Sequence, residues 1–262
     1  MEPETMEDIV TLKWNFTPKD YFEDEIRIDR DDYEMIIKDG LVEAHINAEV
    51  YDKEHKMRDS LHQKLNARFL GVQLLRRRPY TLSKASMYRI HPDGRKDVTV
   101  FPEPCVMTMT ARNADIVVKD KDGNVVSDSR RDRVEKEKEF AELAERHSSD
   151  LDAENLLNSY NAAVNDPNNE LVHLYEIRDA LSTLFSDGKK ARKELGLSVT
   201  KWNRLGTLAS REPLKQGRHR GQSTGKLRDA SEKELTEARD IACDFIEAYW
   251  VYLDECNNQT SR

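Results

Sequence analysis

The spacing of the apolar residues changes near residue 130, and this change limits the fold more than any other feature of the sequence. Before it, short runs alternate between apolar and polar residues and are separated by turns rich in Asp and Gly, a pattern typical of antiparallel strands. After it, the apolar residues recur at the spacing of amphipathic helices. A strand-rich segment followed by an all-helical segment predicts an α+β chain.

Turn signals predict β-hairpins in the first half. The runs YEMIIKDG and LVEAHINAEVY meet at Asp39-Gly40, and further hairpins are expected around residues 91–94 and around Asp122-Gly123. Between the first two hairpins, apolar residues recur at helical spacing: Met57, Leu61, Leu65, Phe69 and Val72. We therefore expect residues 1–129 to form an antiparallel sheet domain with one helix packed on it.

The second half predicts a charged linker and a helical domain. Residues 130–149 alternate densely in charge, which favours a solvated connecting helix, and residues 150–262 form the helical domain. Ser231 and Glu234 have the spacing of a capping box. The helices of this domain are predicted over residues 151–164, 170–185, 189–196 and 200–209 and from Ser231 to about Leu253.

The net charge of −8 conceals a basic island. Residues 189–228 contain twelve Lys or Arg and only two acidic residues, Glu194 and Glu212, which gives +10 against −18 for the rest of the chain. Such an island is typical of a polyanion-binding surface, or it docks on an acidic surface of this protein or of a partner. RNA or another polyanion is therefore a candidate partner.

Neither a cofactor nor a membrane is expected. The three cysteines, Cys105, Cys243 and Cys256, form no CxxC pair, which argues against a zinc site and a disulfide framework. No run approaches the roughly 20 apolar residues of a membrane span. The acidic opening MEPETMEDIV does not have the pattern of a signal peptide. These features predict a cytoplasmic protein without a bound metal.

A short basic motif carries a family resemblance. The stretch GRHRGQSTGKLRDASEKELTEARDIACDFIEAYWVYL places Arg218, His219 and Arg220 in a flexible, Gly-flanked loop before the last helix. Together with NELVHLYEIRDALSTLF, it resembles the HEPN superfamily, especially HEPN-like domains of bacterial abortive-infection and other defence proteins, over roughly residues 150–255. In that family a helical bundle dimerises, and an Arg and a His separated by a few residues form a composite site that cleaves RNA without metal. Here Arg218 and His219 are adjacent.

The resemblance implies an assignment of site residues. His219 would be the acid or base and Arg218 the phosphate clamp, since histidine transfers protons near neutral pH and arginine stabilises the charge that develops on phosphorus. Arg178, within the apolar stripe of its helix, would be a third cation in the same cleft, or it would have a structural partner inside the bundle. Nucleic-acid contacts are expected from Arg211, Lys215, Arg220, Lys201 and Arg204.

The segment KKARKELGLSVTKWNRLGTLA supports a different reading. Two short helices around Gly196, with Trp202 and Leu205 pointing inward, resemble a helix-turn-helix. Its second helix would present Thr200, Lys201, Asn203 and Arg204 to DNA.

The function predicted from these observations is an RNA-binding or RNA-cleaving effector of bacterial antiviral defence, a metal-independent endoribonuclease. The sheet domain would sense or assemble through a protein partner. The wide apolar face of the last helix predicts a homodimer through that helix. The alternatives are a non-enzymatic nucleic-acid-binding or adaptor protein, in which the basic loop only holds a polyanion, and a helix-turn-helix DNA-binding regulator.

Overall fold

The protein divides into two compact units, each assembled from two stretches of the chain. The computed structural model describes residues 8–91, 95–99, 115, 117–119, 125–222 and 225–260. The first unit comprises residues 1–66 and 80–136, and the second comprises residues 67–79 and 137–262. The first contains the sheet and the second is helical, so the predicted α+β class is confirmed.

The first unit is built on an antiparallel sheet. Its strands are β1 (Ile9–Thr17), β2 (Ile26–Asp29), β3 (Glu34–Lys38), β4 (Leu41–Asn47), β5 (Thr81–Leu82), β6 (Ser86–Ile90) and β7 (Lys96–Thr99). They lie in the order β2-β3-β4-β1-β6-β7, and β5 pairs with β1. β1 is therefore central, and its alternate residues Val10, Leu12, Trp14 and Phe16 are all buried, as the period of two in a strand requires.

The predicted hairpins correspond to paired strands. β3 and β4 meet at Asp39-Gly40, whose φ angles of 49° and 88° are those of the tight turn that matches strand twist. β6 pairs with β7, and β8 (Val117–Lys119) pairs with β9 (Val125–Asp128) in a separate two-stranded sheet. The turn residues 92–94 and 122–123, like Cys105, lie outside the described residues.

One strand prediction was too long. Residues 48–51 were expected to continue β4, but they begin helix α1 (Ala48–Lys53). The reason is local, because the Asn47 side chain accepts a hydrogen bond from the amide of Glu49 at 2.9 Å and caps the helix.

The predicted helix of the first half is α2 (Met57–Arg76). The five apolar residues that defined it are all buried: Met57, Leu61, Leu65, Phe69 and Val72. Its first half belongs to the sheet unit, where Trp14 Nε1 of β1 donates a hydrogen bond to His62 Nδ1 at 3.1 Å. Its second half, from residue 67, belongs to the helical unit.

The second unit is a helical bundle. Its helices after α2 are α3 (Ser129–Arg146, from residue 137 on), α4 (Leu151–Asn165), α5 (Glu170–Leu184), α6 (Gly188–Glu194), α7 (Val199–Ser210) and α8 (Glu232–Thr260). Short 3-10 turns lie at Pro167–Asn169 and Arg220–Gln222. The capping box is present, since Glu234 accepts a hydrogen bond from the Ser231 amide at 2.8 Å and the Ser231 hydroxyl accepts one from the Glu234 amide at 3.3 Å.

Two helix predictions need correction. The prediction that α3 is solvated is wrong for its second half, where Glu137, Phe140, Ala141 and Ala144 are buried. The alternating charges of this segment gave no sign of this buried face, because one of its residues, Glu137, is itself charged. In the fold Glu137 forms an ion pair with Arg76 at 2.8 Å. α8 continues seven residues beyond Leu253 and ends at Thr260.

Candidate nucleic-acid interface

The loop between α7 and α8 is anchored to the helical unit. The Arg218 amide donates a hydrogen bond to the Ala209 carbonyl of α7 at 2.7 Å, and the amide of Lys215 pairs with the Arg228 carbonyl at 3.0 Å. Gly217 permits the close approach, since a Cβ there would lie 3.0 Å from the Ala209 oxygen. The loop that the sequence predicted to be flexible is therefore fixed at these positions.

The Arg-His-Arg motif lies along α5. Arg218 donates a hydrogen bond to Asp179 at 2.8 Å, and its guanidinium lies 4.3 Å from the centre of the Tyr175 ring. Arg220 contacts the Asn169 side chain, just before the first turn of α5. The two arginines thus hold the motif against two positions of one helix. His219, between them, is exposed, and the structure shows no hydrogen bond or ion pair to its ring within the described residues.

Arg178 has an aromatic environment. Its guanidinium lies 4.9 Å from the centre of the Tyr175 ring and 5.0 Å from that of Trp202, and it donates a hydrogen bond to the Tyr175 hydroxyl. Trp202 is itself buried against Phe245. No carboxylate pairs with Arg178 in the part of the chain that is described. The partners of this arginine inside the bundle are thus two aromatic rings and the Tyr175 hydroxyl, held by cation–π contacts and a hydrogen bond.

Arg178 and Arg218 meet at the same tyrosine. Both guanidinium groups lie within 5 Å of the Tyr175 ring centre. Neither Tyr175 nor Asp179 was identified from the sequence. The available signal was the spacing on α5, because Tyr175 lies three residues before Arg178 and four before Asp179, so that all three share one side of the helix.

A small cavity lies beside this tyrosine. It has a volume of 160 Å³ and is lined by Tyr175, Arg178, Asn203, Gly206, Ser210 and Arg211. Of the predicted site residues, the structure places only Arg178 and Arg211 here. Arg211 is exposed, and its side chain has no ion pair within the described ranges. The cavity is therefore bordered by two cations and no acidic residue.

The remaining predicted contacts are already paired with carboxylates. Lys201 pairs with Asp244 of α8, Arg204 makes a two-pronged contact with Glu237 of α8 at 2.9–3.0 Å, and Lys215 pairs with Asp229 at 2.8 Å. The Glu237 contact raises the pKa of Arg204, and the Lys215 hydrogen bond lowers that of Asp229. Part of the basic island therefore docks on acidic side chains of the protein itself.

The contacts of α7 can be compared with those that a helix-turn-helix needs. A recognition helix needs its polar side chains free to enter the major groove. In α7, Lys201 and Arg204 instead point at acidic residues of α8, while Asn203 faces the cavity.

The wide apolar face of α8 is covered by the helical unit. Its buried residues are Ala238, Ile241, Ala242, Phe245, Ile246, Tyr249 and Trp250. Phe245 packs on Trp202 of α7, and Trp250 packs on Phe140 of α3. The width of this face is thus explained without a second copy of the chain, and the homodimer stays a prediction.

No protein-family model, curated protein or solved structure matches this chain. Within the described residues, no helix is both long and apolar enough to span a bilayer. The same residues contain no cluster of three or more His, Cys, Asp or Glu side chains arranged to hold a metal ion.

Proposed function

We propose that this protein binds RNA along α5 and the Arg-His-Arg loop and cleaves it without a metal ion, as a HEPN-like effector of bacterial antiviral defence. One observation carries the proposal: Arg178 and Arg218 converge on Tyr175 next to the exposed His219. The defence context rests on the family resemblance alone.

The chemistry fits these residue types. Attack of a ribose 2′-hydroxyl on the adjacent phosphate needs a group that accepts and returns protons, which His219 would supply. Arg218 would stabilise the charge that develops on the phosphate oxygens. The Tyr175 ring contacts both guanidinium groups and so keeps the two positive charges close together. The requirement for a 2′-hydroxyl would restrict cleavage to RNA.

The Arg218–Asp179 pair does not block this role. Both side chains are partly exposed, at 34% and 48%, and exposed pairs contribute only about 0–1 kcal/mol. A phosphate group can therefore replace the carboxylate on the guanidinium at small cost. Arg218 would change partner when RNA binds.

Non-enzymatic RNA binding is the second candidate, and it too has a specific observation in its favour. Catalytic histidines are usually oriented by a third group, and no such group contacts the His219 ring within the described residues. An adaptor would need the two arginines of the motif but not the histidine between them.

The test separates binding from cleavage. In the proposed enzyme, His219→Ala should lower the cleavage rate by about 10²–10⁴-fold and leave RNA affinity nearly unchanged, because a neutral imidazole adds little to binding. His55→Ala, which alters an exposed histidine of the sheet unit, is the matched control and should have no effect. Arg218→Lys should also slow cleavage, since a point charge cannot reproduce a two-pronged contact.

The possible outcomes distinguish the enzyme from the adaptor. Cleavage that survives EDTA and is lost in His219→Ala supports the enzyme. RNA binding without cleavage by the wild-type protein supports the adaptor. Absence of RNA binding at low salt would reject both.

Assembly remains part of the proposal. Light scattering at micromolar concentration tests the homodimer expected through α8, and a strict monomer would leave the composite site of the HEPN-like scheme without its second half. A protein partner for the sheet unit is likewise proposed, and co-purification with that unit is its test.

A further inference from the structure

Two residues that line the cavity between α5 and α7 carry buried polar atoms that lack partners. Arg178 Nε and Ser210 Oγ are fully buried, yet neither has a hydrogen-bond partner within the described residues. Leaving a buried polar group unsatisfied costs about 1–3 kcal/mol, more when the group is charged. Both residues line the same cavity. These atoms have almost no accessible surface, so they lie behind the cavity wall, and the groups that an occupant can reach are the other polar atoms of the lining.

The size of the cavity limits that occupant. Sites for whole cofactors or drug-sized ligands occupy about 300–1,000 Å³, and this cavity has 160 Å³. It is nonetheless roughly ten times the volume needed for one water. The space therefore suits a single polar group rather than a complete nucleotide.

The charges of the residues that line the cavity indicate which polar group it binds. Arg178 and Arg211 contribute two positive charges, and no acidic residue lines the cavity. A phosphomonoester carries about −1.5 to −2 at neutral pH, whereas a phosphodiester carries a single charge. Hydrogen bonds from guanidinium to phosphate are among the strongest available to a protein. The lining thus matches the monoester better than the diester.

We infer that this cavity binds a phosphomonoester group, with the guanidinium groups of Arg178 and Arg211 as its donors. The inference deepens the proposed function and rests on it for the source of the group, which would be the terminal phosphate of an RNA strand. A free phosphate or a mononucleotide presents the same chemistry. The pocket would place a strand end beside Tyr175, and Arg218 on the same ring would hold the neighbouring backbone.

Calorimetry with small phosphates tests the chemistry directly. Inorganic phosphate and methyl phosphate should bind the full chain more tightly than dimethyl phosphate. Arg211→Gln should weaken methyl phosphate binding by about 10- to 100-fold, the loss expected for a hydrogen bond between charged groups. Lys190→Gln removes one positive charge from an exposed position of the basic island outside the cavity and should leave this affinity unchanged. Equal losses in both variants, or no binding, would overturn the inference.

The variant Gly206→Ala reduces the space in the cavity without changing its charge. A Cβ at this position would lie 3.1 Å from Arg178 Nη1 and 3.3 Å from its Cζ, and would therefore intrude on the pocket. Alanine is the better helix former, so the variant should fold. We expect a cooperative unfolding transition, which shows that the variant is folded, together with loss of methyl phosphate binding. Unchanged binding in this folded variant would contradict the pocket.

RNA ends separate this inference from the proposed function. RNA oligonucleotides bearing a 5′-phosphate, a 3′-phosphate or only hydroxyl ends should bind with different affinities, and Arg211→Gln should remove the difference. If hydroxyl-ended RNA binds equally well and methyl phosphate does not bind, the pocket fails while RNA binding stands. If methyl phosphate binds but no RNA does, the pocket stands and its source is a free phosphate or a mononucleotide.

Discussion

The interior of the helical unit and its basic loop use the same pairing of cation and carboxylate with different consequences. In the interior, Arg68 pairs with Glu145 at side-chain exposures of 4% and 11%, and Arg239 pairs with Glu170 at 19% and 5%. In the loop, Lys215 pairs with Asp229 at 54% and 69%. Removing one partner of a buried pair leaves an uncompensated charge, whereas water replaces a lost exposed partner. Breaking an interior pair should therefore destabilise the fold, whereas a loop pair can be exchanged for a ligand.

Arg178 and Arg211 belong to neither group. They border a cavity and have no carboxylate partner within the described residues. Lys201, Arg204 and Lys215 differ from these two arginines, because each must give up an exposed carboxylate partner before it can bind an anion. The number of Lys and Arg side chains without a carboxylate partner is therefore a better guide to anion binding by the island than the total number of basic residues.

The largest expected effect comes from breaking an interior pair. Glu170→Gln should lower the free energy of unfolding by about 3–5 kcal/mol, because Arg239 would lose its two-pronged buried partner. Glu232 offers a matched control, since it contacts the same arginine but is 75% exposed. Glu232→Gln should cost less than about 1 kcal/mol in the same denaturant titration. Similar losses in the two variants would show that burial does not distinguish the pairs.

An intermediate effect is expected at the start of α8. Hydrogen bonds from Arg228 and from the Ser231 amide lower the pKa of Glu234 to about 2 from an ordinary value of 4.5. Because the folded-state pKa is depressed, the stabilisation is present above pH ~4.5 and is lost as pH falls toward ~2. Glu234→Gln retains the capping geometry but cannot titrate.

The wild type should therefore lose about 1 kcal/mol more than Glu234→Gln between neutral pH and pH ~2.5, a modest figure because Arg228 is 47% exposed. Urea titrations at several pH values provide the measurement. If the free energies of unfolding of the two proteins fall in parallel at low pH, the acid sensitivity comes from other carboxylates.

Local patterns carried most of the fold prediction. Alternation and Asp-Gly turns predicted the paired strands, and the capping box predicted the start of α8. The central strand β1 was not identified, although Val10, Leu12, Trp14 and Phe16 alternate, because no turn signal marks its pairing with strands far along the chain. The division of α2 between two units is equally non-local. Its apolar stripe is continuous and does not show which unit each turn joins.

The candidate site was predictable only in part. The Gly-flanked motif indicated Arg218 and His219, and the apolar stripe of α5 singled out Arg178. Tyr175 and Asp179 were not found, because their importance comes from contacts with a loop some forty residues away. The pairing of Lys201 and Arg204 was hidden for the same reason, since sequence shows charges but not which carboxylate faces them.

The smallest expected effect is also the most direct test of an exchangeable loop pair. Asp179→Asn should raise RNA affinity by up to about fivefold, because Arg218 would no longer be shared with a carboxylate and an exposed pair contributes about 0.2–1 kcal/mol. Asp244→Asn removes the same charge from the pair with Lys201 and should leave affinity almost unchanged. Fluorescence anisotropy at fixed salt can resolve the two, provided that ionic strength is held constant, since phosphate contacts depend strongly on salt. A larger gain from Asp244→Asn would shift the interface from the loop to α7, the surface required by a helix-turn-helix.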